Sequence, residues 1–415
     1  MIQSGLSVAC QRSIMAITNF GNSSSAQSTR RNVYIFGFTS LCNDIASEMG
    51  YWILPAFLVS LGAGPAALGL IEGIAESVAA LGKFFSGYIT DIITRRKPLV
   101  ISGYVLSNAF KPVLALSTQW WHVLLVRFAD RTAKGIRSAP RDVMLAESVE
   151  KEKAGSAFGL LQSMDSAGAV IGPLLALLIM ARTGNMRVVF WVAAIPGFLA
   201  ILAVLLAQET GVHKVSAAVR KPLWQHGALS SRFYYMLAAV LVFSLGNSSD
   251  AFLILRAQEA GIAARYAPLL GFVFNVTYTL SAWPAGWLSD KYSKPAIAAM
   301  GYLVFAGTYA AFAAAPNRAT LWIVMACYGL YYSLTSPVLR ALVVETVAPE
   351  SRGRAFGIFY FSTSVAALLS SLLTGELWKH FGGSLPFYLS AGLAVVGAVM
   401  LMVSHSGPSK QSPPS

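Results

Sequence analysis

The sequence predicts an all-α membrane protein: twelve transmembrane helices in two pseudo-symmetric six-helix bundles. Three observations predict it. The 415-residue chain is 55% hydrophobic and only 12% charged, with a mean hydropathy of +0.59, whereas soluble domains carry about 25% charged residues. A short charged turn occurs twice, as GYITDIITRRKPL from Gly87 to Leu99 and as GWLSDKYSKP from Gly286 to Pro295. Twelve apolar runs also reach the roughly 20 residues that a helix needs to cross a bilayer.

The duplication comes first, because an internal repeat sets the whole fold. It extends beyond the turn. Arg141 precedes DVMLAESVEKEKAGSAFG, and Arg340 precedes ALVVETVAPESRGRAFG. Glu147 thus matches Glu345, and Ala157–Gly159 matches Ala355–Gly357, at an offset of about 198 residues. One Gly-to-Asp turn arises by chance. Several landmarks at one offset do not.

Residues 1–31 are Ser-rich and too polar to bury a core, so a disordered N-terminus is expected. Residues 32–207 form the first bundle, with spans Val33–Ser60, Pro65–Tyr88, Pro98–Ser117, Trp120–Arg137, Phe158–Ala181 and Val188–Ala207. The fourth is unusually polar, carrying Arg127, Asp130, Arg131, Lys134 and Arg137. The polar stretch 208–231 links the halves. Residues 232–404 form the second bundle, with spans Phe233–Leu255, Tyr266–Trp287, Ala296–Ala315, Leu321–Leu342, Phe356–Trp378 and Leu385–Ser404. Residues 405–415 are a short polar tail.

Basic residues orient the spans, because cytoplasmic turns are enriched in Lys and Arg. Arg30, Arg31, Arg95, Arg96, Lys97, Arg141, Lys151, Lys153, Lys291, Lys294, Arg352 and Arg354 fall on one side, together with the linker's basic residues. Both termini are therefore expected in the cytoplasm, in a multi-pass protein of the bacterial inner membrane. The net charge of +13 is spread over these turns and forms no separate basic domain, which argues against nucleic acid as a partner. The cysteines Cys10, Cys42 and Cys327 have no metal spacing, and neither a metal nor a cofactor is expected. No H-E-x-x-H, readable Ser-His pairing or G-x-x-x-x-G-K-[ST] loop is present, so an enzyme is not expected. No basic stretch precedes an apolar signal-like run, so no cleaved signal peptide is expected.

The two six-span halves, the G-x-x-x-D-x-x-x-R-R turn after span two and the long middle loop resemble the major facilitator superfamily from about Val33 to Ser404. The first turn departs from the family signature, with Ile92 and Thr94 where a basic residue and a Gly are usual. The second keeps Lys291 but has Ser293 in place of the Gly. The resemblance implies a gating role for Gly87, Asp91, Arg95 and Arg96, and for Gly286, Asp290 and Lys291. In span five, Gly159, Gly168, Gly172 and Pro173 follow the family's antiporter spacing, with Ala176 in place of the last Gly. Arg127 sits where the family often carries an embedded arginine. The run RFADRTAKGIRSAPRD around it is far more charged than usual. The resemblance also implies that spans one, four, seven and ten line a cavity.

Ionisable residues inside a membrane are costly and so are functional candidates. Asp44 and Glu48 lie four apart on one face of span one, with Glu48 about 22 Å deep at 1.5 Å per residue. Glu72 and Glu76 share a face of span two. Arg127 and Arg131 share a face of span four, with Asp130 displaced. Lys111 lies in span three, Asp165 in span five and Asp250 in span seven. A buried carboxyl beside an arginine can titrate and carry a proton. Asp44 or Glu48 paired with Arg127 is the expected arrangement. Tyr278, Trp283, Tyr328, Tyr331 and Tyr332 are candidates to contact an organic substrate. The expected function is proton-coupled efflux of a small molecule by a monomer in the lipid bilayer. The alternative is proton-coupled import of a nutrient, siderophore or metal chelate.

Overall fold

The computed structural model describes residues 31–405, except 52, 64, 211–228, 263–266 and 315–316. Most of the N-terminus, most of the linker and the tail beyond 405 therefore lie outside the described residues. Among the described residues the regular structure is helical.

Local chemistry decides which spans are continuous. Span one divides into α1 (31–51) and α2 (Leu54–Ser60), whose first turn carries Pro55. Span two is α3 (Pro65–Ile92). Span three is α4 (Lys97–Phe110) followed by a 3₁₀ segment from Pro112 to Leu116, since Pro112 has no N–H to continue the α ladder. Span four is α5 (Trp120–Glu147). Span five is α6 (Ala154–Thr183). Span six is α7 (Met186–Val192) and α8 (Ala194–Leu205), broken just before Pro196.

The second half follows the same plan. Span seven divides into α9 (Ser231–Ser244) and α10 (Ala251–Glu259). Between them runs LGNSSD, whose Gly, Asn and Ser residues compete with helical hydrogen bonding. Spans eight to twelve are α11 (Ala267–Lys291), α12 (Lys294–Ala314), α13 (Arg318–Thr346), α14 (Arg352–Phe381) and α15 (Ser384–His405). Pro140 inside α5 and Pro337 inside α13 lie near, though not at, matching positions in the two halves.

Six described segments are long and apolar enough to cross a membrane by themselves: Lys97–Leu116, Lys151–Thr183, Met186–Leu205, Lys294–Ala314, Pro349–Phe381 and Ser384–Val403. They correspond to spans three, five, six, nine, eleven and twelve. The remaining spans include one, four, seven and ten, which turn charged or hydroxylated residues inward. Leu174, Leu177, Leu178, Leu368, Leu372 and Leu373 are exposed on the outer surface, as a lipid-facing wall requires.

The halves meet along two equivalent contacts, α3 with α14 and α6 with α11. One sequence-based boundary needs correction. Span four does not end at Arg137. The helix runs ten residues further, so Arg141, assigned above to a basic turn, lies within α5.

Candidate functional site

Two symmetric clamps close one end of the molecule, the end that carries the duplicated turns. Asp91, at the end of α3, accepts the backbone N–H groups of Gly353 (2.7 Å) and Arg354 (2.8 Å) in the first turn of α14. Asp290, at the end of α11, accepts those of Gly155 (2.8 Å) and Ser156 (2.7 Å) in the first turn of α6, and the Ser156 hydroxyl (2.5 Å). A helix N-terminus offers unpaired N–H groups and the positive end of its dipole, so each carboxylate caps a helix of the opposite half.

Glycine permits these crossings. A Cβ on Gly87 would lie 2.7 Å from Gly357 Cα, and one on Gly286 3.0 Å from Gly159 Cα. Behind the first clamp, Arg96 is 2% exposed. It donates to both Glu147 carboxylate oxygens at 2.6 Å and to the Thr90 carbonyl at 3.1 Å. Lys294 and Glu345, 3.4 Å apart, occupy the equivalent place in the second half. Arg95 is exposed and Lys291 rests 3.9 Å over the Trp287 ring, so neither joins the crossing.

Above the clamps lies a cavity of ≈ 320 Å³ between the halves. Its first-half wall carries Ser40 and Asp44 on α1, Lys83 on α3, Lys134, Arg137 and Arg141 on α5, and Gln162 and Asp165 on α6. The second half adds Phe243, Tyr302, Tyr331, Tyr332, Arg340, Phe359 and Tyr360. Lys134, Arg137 and Arg141 recur at helical spacing and so share a face of α5. The AKGIRSAPR segment thus supplies cations to the cavity.

The carboxyl groups of Asp44 and Asp165 are in hydrogen-bonding contact. Ser40 donates to Asp165 at 2.6 Å, Gln162 to its other oxygen at 3.3 Å, and Asn43 to Asp44 at 3.0 Å. Ionised carboxylates only accept hydrogen bonds, so two of them in contact can hold a proton between them. The small residues of α6 make this approach possible. A Cβ on Gly168 would lie 2.8 Å from Asp44 Cβ, and one on Gly172 2.8 Å from Glu48 Cβ. Gly168 and Gly172 therefore pack α6 on α1, whereas Gly159 packs on α11. Pro173 lies within α6 beside Gly172.

The major facilitator superfamily model matches residues 36–255 and 236–415. The chain belongs to the major facilitator superfamily. An uncharacterised MFS-type transporter of Methanocaldococcus jannaschii, MJ1317, is 32% identical over 390 residues, covering 92% of this chain and 96% of that protein. The multidrug resistance protein MdtH of Photorhabdus laumondii is 22% identical, over 84% of this chain and 87% of its own. The crystal structure of the human organic anion transporter MFSD10 aligns with a TM-score of 0.76, over 90% of this chain and 99% of its own. At 14% identity that is a likeness of fold alone. As a member of this superfamily, the chain is a membrane transporter of small molecules and not an enzyme.

Within this transporter Arg127 makes an ion pair with Glu72, which replaces the expected Asp44 alternative. Its guanidinium lies 2.6 Å from Glu72 on α3, and Arg131 lies 3.6 Å from Glu76. The reason is packing. Gly82 of α3 faces Gly135 of α5 at close range, so those two helices are drawn together along the face that carries both pairs. Asp44 turns instead toward α6. Asp130 accepts from Ser107 at 2.5 Å, and Lys111 donates to Asn43 and Asn108, which ties α4 to its neighbours. Asp250 accepts the Tyr328 hydroxyl at 2.7 Å, apart from the carboxylate pair.

Of the aromatic candidates, Tyr331 and Tyr332 line the cavity. Tyr278 and Tyr328 are buried in the stack behind them, and Trp283 is 52% exposed. Lys83, Arg141 and Arg340 were not among the expected cavity residues. For Lys83 the signal was present, a lysine inside an apolar span. For Arg141 and Arg340 it was the repeat itself, which places two arginines at matching positions.

Proposed function

We propose that the chain is a proton-coupled secondary transporter that moves a small organic solute by alternating access to the central cavity, in the export direction. The observation that supports coupling is the Asp44–Asp165 contact on the cavity wall. A carboxyl pair on a wet cavity wall can gain and lose its proton as the cavity opens to either side. Asp44 and Asp165 are the proton carriers in this reading. Glu48, Glu76, Arg127, Asp130, Arg131 and Asp250 shape or support the site.

The end bearing the two clamps is assigned to the cytoplasm by its lysines and arginines. The conformation described here is then closed inside, with Asp91 and Asp290 as the inner gate. Both termini face the cytoplasm, and the bundles 32–207 and 232–404 rock against each other across the 208–231 connection. The likeness to MdtH and the spacing of Gly159, Gly168, Gly172 and Pro173 support export.

A second reading, proton-coupled import of a nutrient or metal chelate, is favoured by one observation. Five cations face two carboxylates in the cavity. Protonating the pair leaves the cavity more positive, so an anionic solute and a proton favour each other's binding.

Energised everted and right-side-out membrane vesicles, assayed with ethidium and naphthoate, distinguish the two. Export gives gradient-dependent accumulation in everted vesicles, and import gives it in right-side-out vesicles. The coupling assignment fails if Asp44→Asn and Asp165→Asn both keep full gradient-driven movement.

A further inference from the structure

The positive charge of the cavity is more than its own carboxylates neutralise. Among the described residues, Lys83, Lys134, Arg137 and Arg340 make no ion pair with a carboxylate. Arg340 is 6% exposed and donates to neutral groups, the Gln162 side chain at 2.5 Å and the Ser336 carbonyl at 3.2 Å. Arg137 is 4% exposed, stands 4.3 Å from the Tyr104 ring, and leaves its buried Nε without a hydrogen-bond partner. Lys83 lies 5.4 Å from the Tyr360 ring. Lys134 is exposed into the cavity. Only Arg141 has a carboxylate of its own, with Asp142 at 2.9 Å.

Cations held inside a membrane protein without counter-ions are costly. Five cations against Asp44 and Asp165, with Asp142 beside Arg141, leave the cavity positive and call for a negative partner that arrives from outside the chain. The second half, which contributes Arg340, also supplies rings. Phe243 and Tyr302 stack at 3.9 Å between ring centres, and Tyr331 and Tyr332 lie 4.7 Å apart, all four lining the cavity. Cations gathered beside a set of rings recognise a molecule with a negative head and a flat apolar body. A volume of ≈ 320 Å³ suits a small ligand.

We propose that the substrate is an amphipathic organic anion. Its carboxylate, sulfonate or phosphate group lies among Lys83, Lys134, Arg137 and Arg340, and its aromatic or apolar part lies against Tyr331, Tyr332 and Phe243. Arg340 and Arg141 hold corresponding places in the two halves, so the head group sits close to the pseudo-two-fold axis. This rests on reading the cavity as the transport site, but on neither direction of transport.

Binding to the purified full chain in detergent, measured without a gradient, tests it. The probes are naphthoate and naphthyl phosphate, compared with naphthamide and naphthylmethylammonium of the same ring size. The anions should bind at least about tenfold more tightly than the amide. Lys134→Gln, at an exposed position that tolerates exchange, and Arg340→Gln should each weaken anion binding about tenfold while amide binding is unchanged. Arg182→Gln, exposed and remote from the cavity, should change neither. Equal or tighter binding of the amide or the ammonium probe overturns the proposal, and so does silence toward both anions. Anion binding with no gradient-driven movement supports it and overturns only the proton coupling. Gradient-driven movement of the ammonium probe without anion binding does the reverse.

Discussion

At the scale of single residues, neighbours of like type have different weights. Arg95 and Arg96 are adjacent and identical, yet one is exposed and the other buried against Glu147. Arg96→Ala removes two charge-assisted hydrogen bonds from a carboxylate in a low-dielectric site and should cost about 3 kcal/mol. Arg95→Ala should stay within about 0.5 kcal/mol of the parent. Equilibrium denaturation in mild detergent checks both, and equal losses would contradict the geometry. The carboxylates separate similarly. Asp165→Asn keeps the shape of the site, and the amide can still reach Ser40, but Asp44 is left without the second carboxylate that shares its proton. Gradient-driven transport should fall more than about tenfold while exchange of labelled for unlabelled solute persists, since exchange needs no net proton movement. Loss of both together would indicate a binding defect.

At the scale of elements, function depends on how closely helices approach. Gly168 and Gly172 let α6 lie on α1, and that contact joins Asp44 to Asp165. Gly286 lets α11 cross α6 where Asp290 caps it. Gly286→Val puts side-chain atoms where Gly155 and Gly159 now lie, so it should force the clamp open. Asp91→Asn is gentler. The amide oxygen still accepts an N–H, but the charge that favours the α14 N-terminus is gone. The closed form should lose about 1 kcal/mol. Spin labels on α3 and α14 near the clamp should show a larger population of long distances in both variants, with solute affinity in Asp91→Asn changed less than transport rate. An unaltered distance distribution would remove Asp91 from the gate.

At the scale of the molecule, the two halves act as one device because the clamps are reciprocal. The first half caps the second through Asp91, and the second caps the first through Asp290. In the proposed alternating-access cycle, opening requires losing both. The inter-half hydrogen bonds among the described residues run from these clamps to the level of Ser163, with Tyr360 donating to Asp142, Arg340 to Gln162, and the Trp283 backbone N–H to Ser163 at 3.0 Å. The orientation assigned to this device has a direct check. An impermeant maleimide on intact cells should label a cysteine placed at Ser60, and should label one at Lys153 only after the membrane is opened. The reverse pattern would place the clamps outside.

The sequence by itself determined the fold. Apolar runs of membrane length, a repeat at one offset and two Gly-Asp turns are properties of chemistry along the chain, and a bilayer leaves helices as the only structure that satisfies such runs. The sequence also marked most of the charged candidates, because a charge in an apolar span stands out in one dimension. It did not determine their partners. Arg127 goes to Glu72 rather than to Asp44 because Gly82 and Gly135 draw α3 onto α5, a crossing made of two absent side chains. Arg141 reads as a turn residue until α5 is seen to continue to Glu147. The gathering of Lys83, Lys134, Arg137 and Arg340 around one cavity, beside its tyrosines, joins four positions on three helices and two halves. Only tertiary packing decides such a meeting, because pairing between helices depends on crossing distance and rotation, which spacing along one helix does not contain.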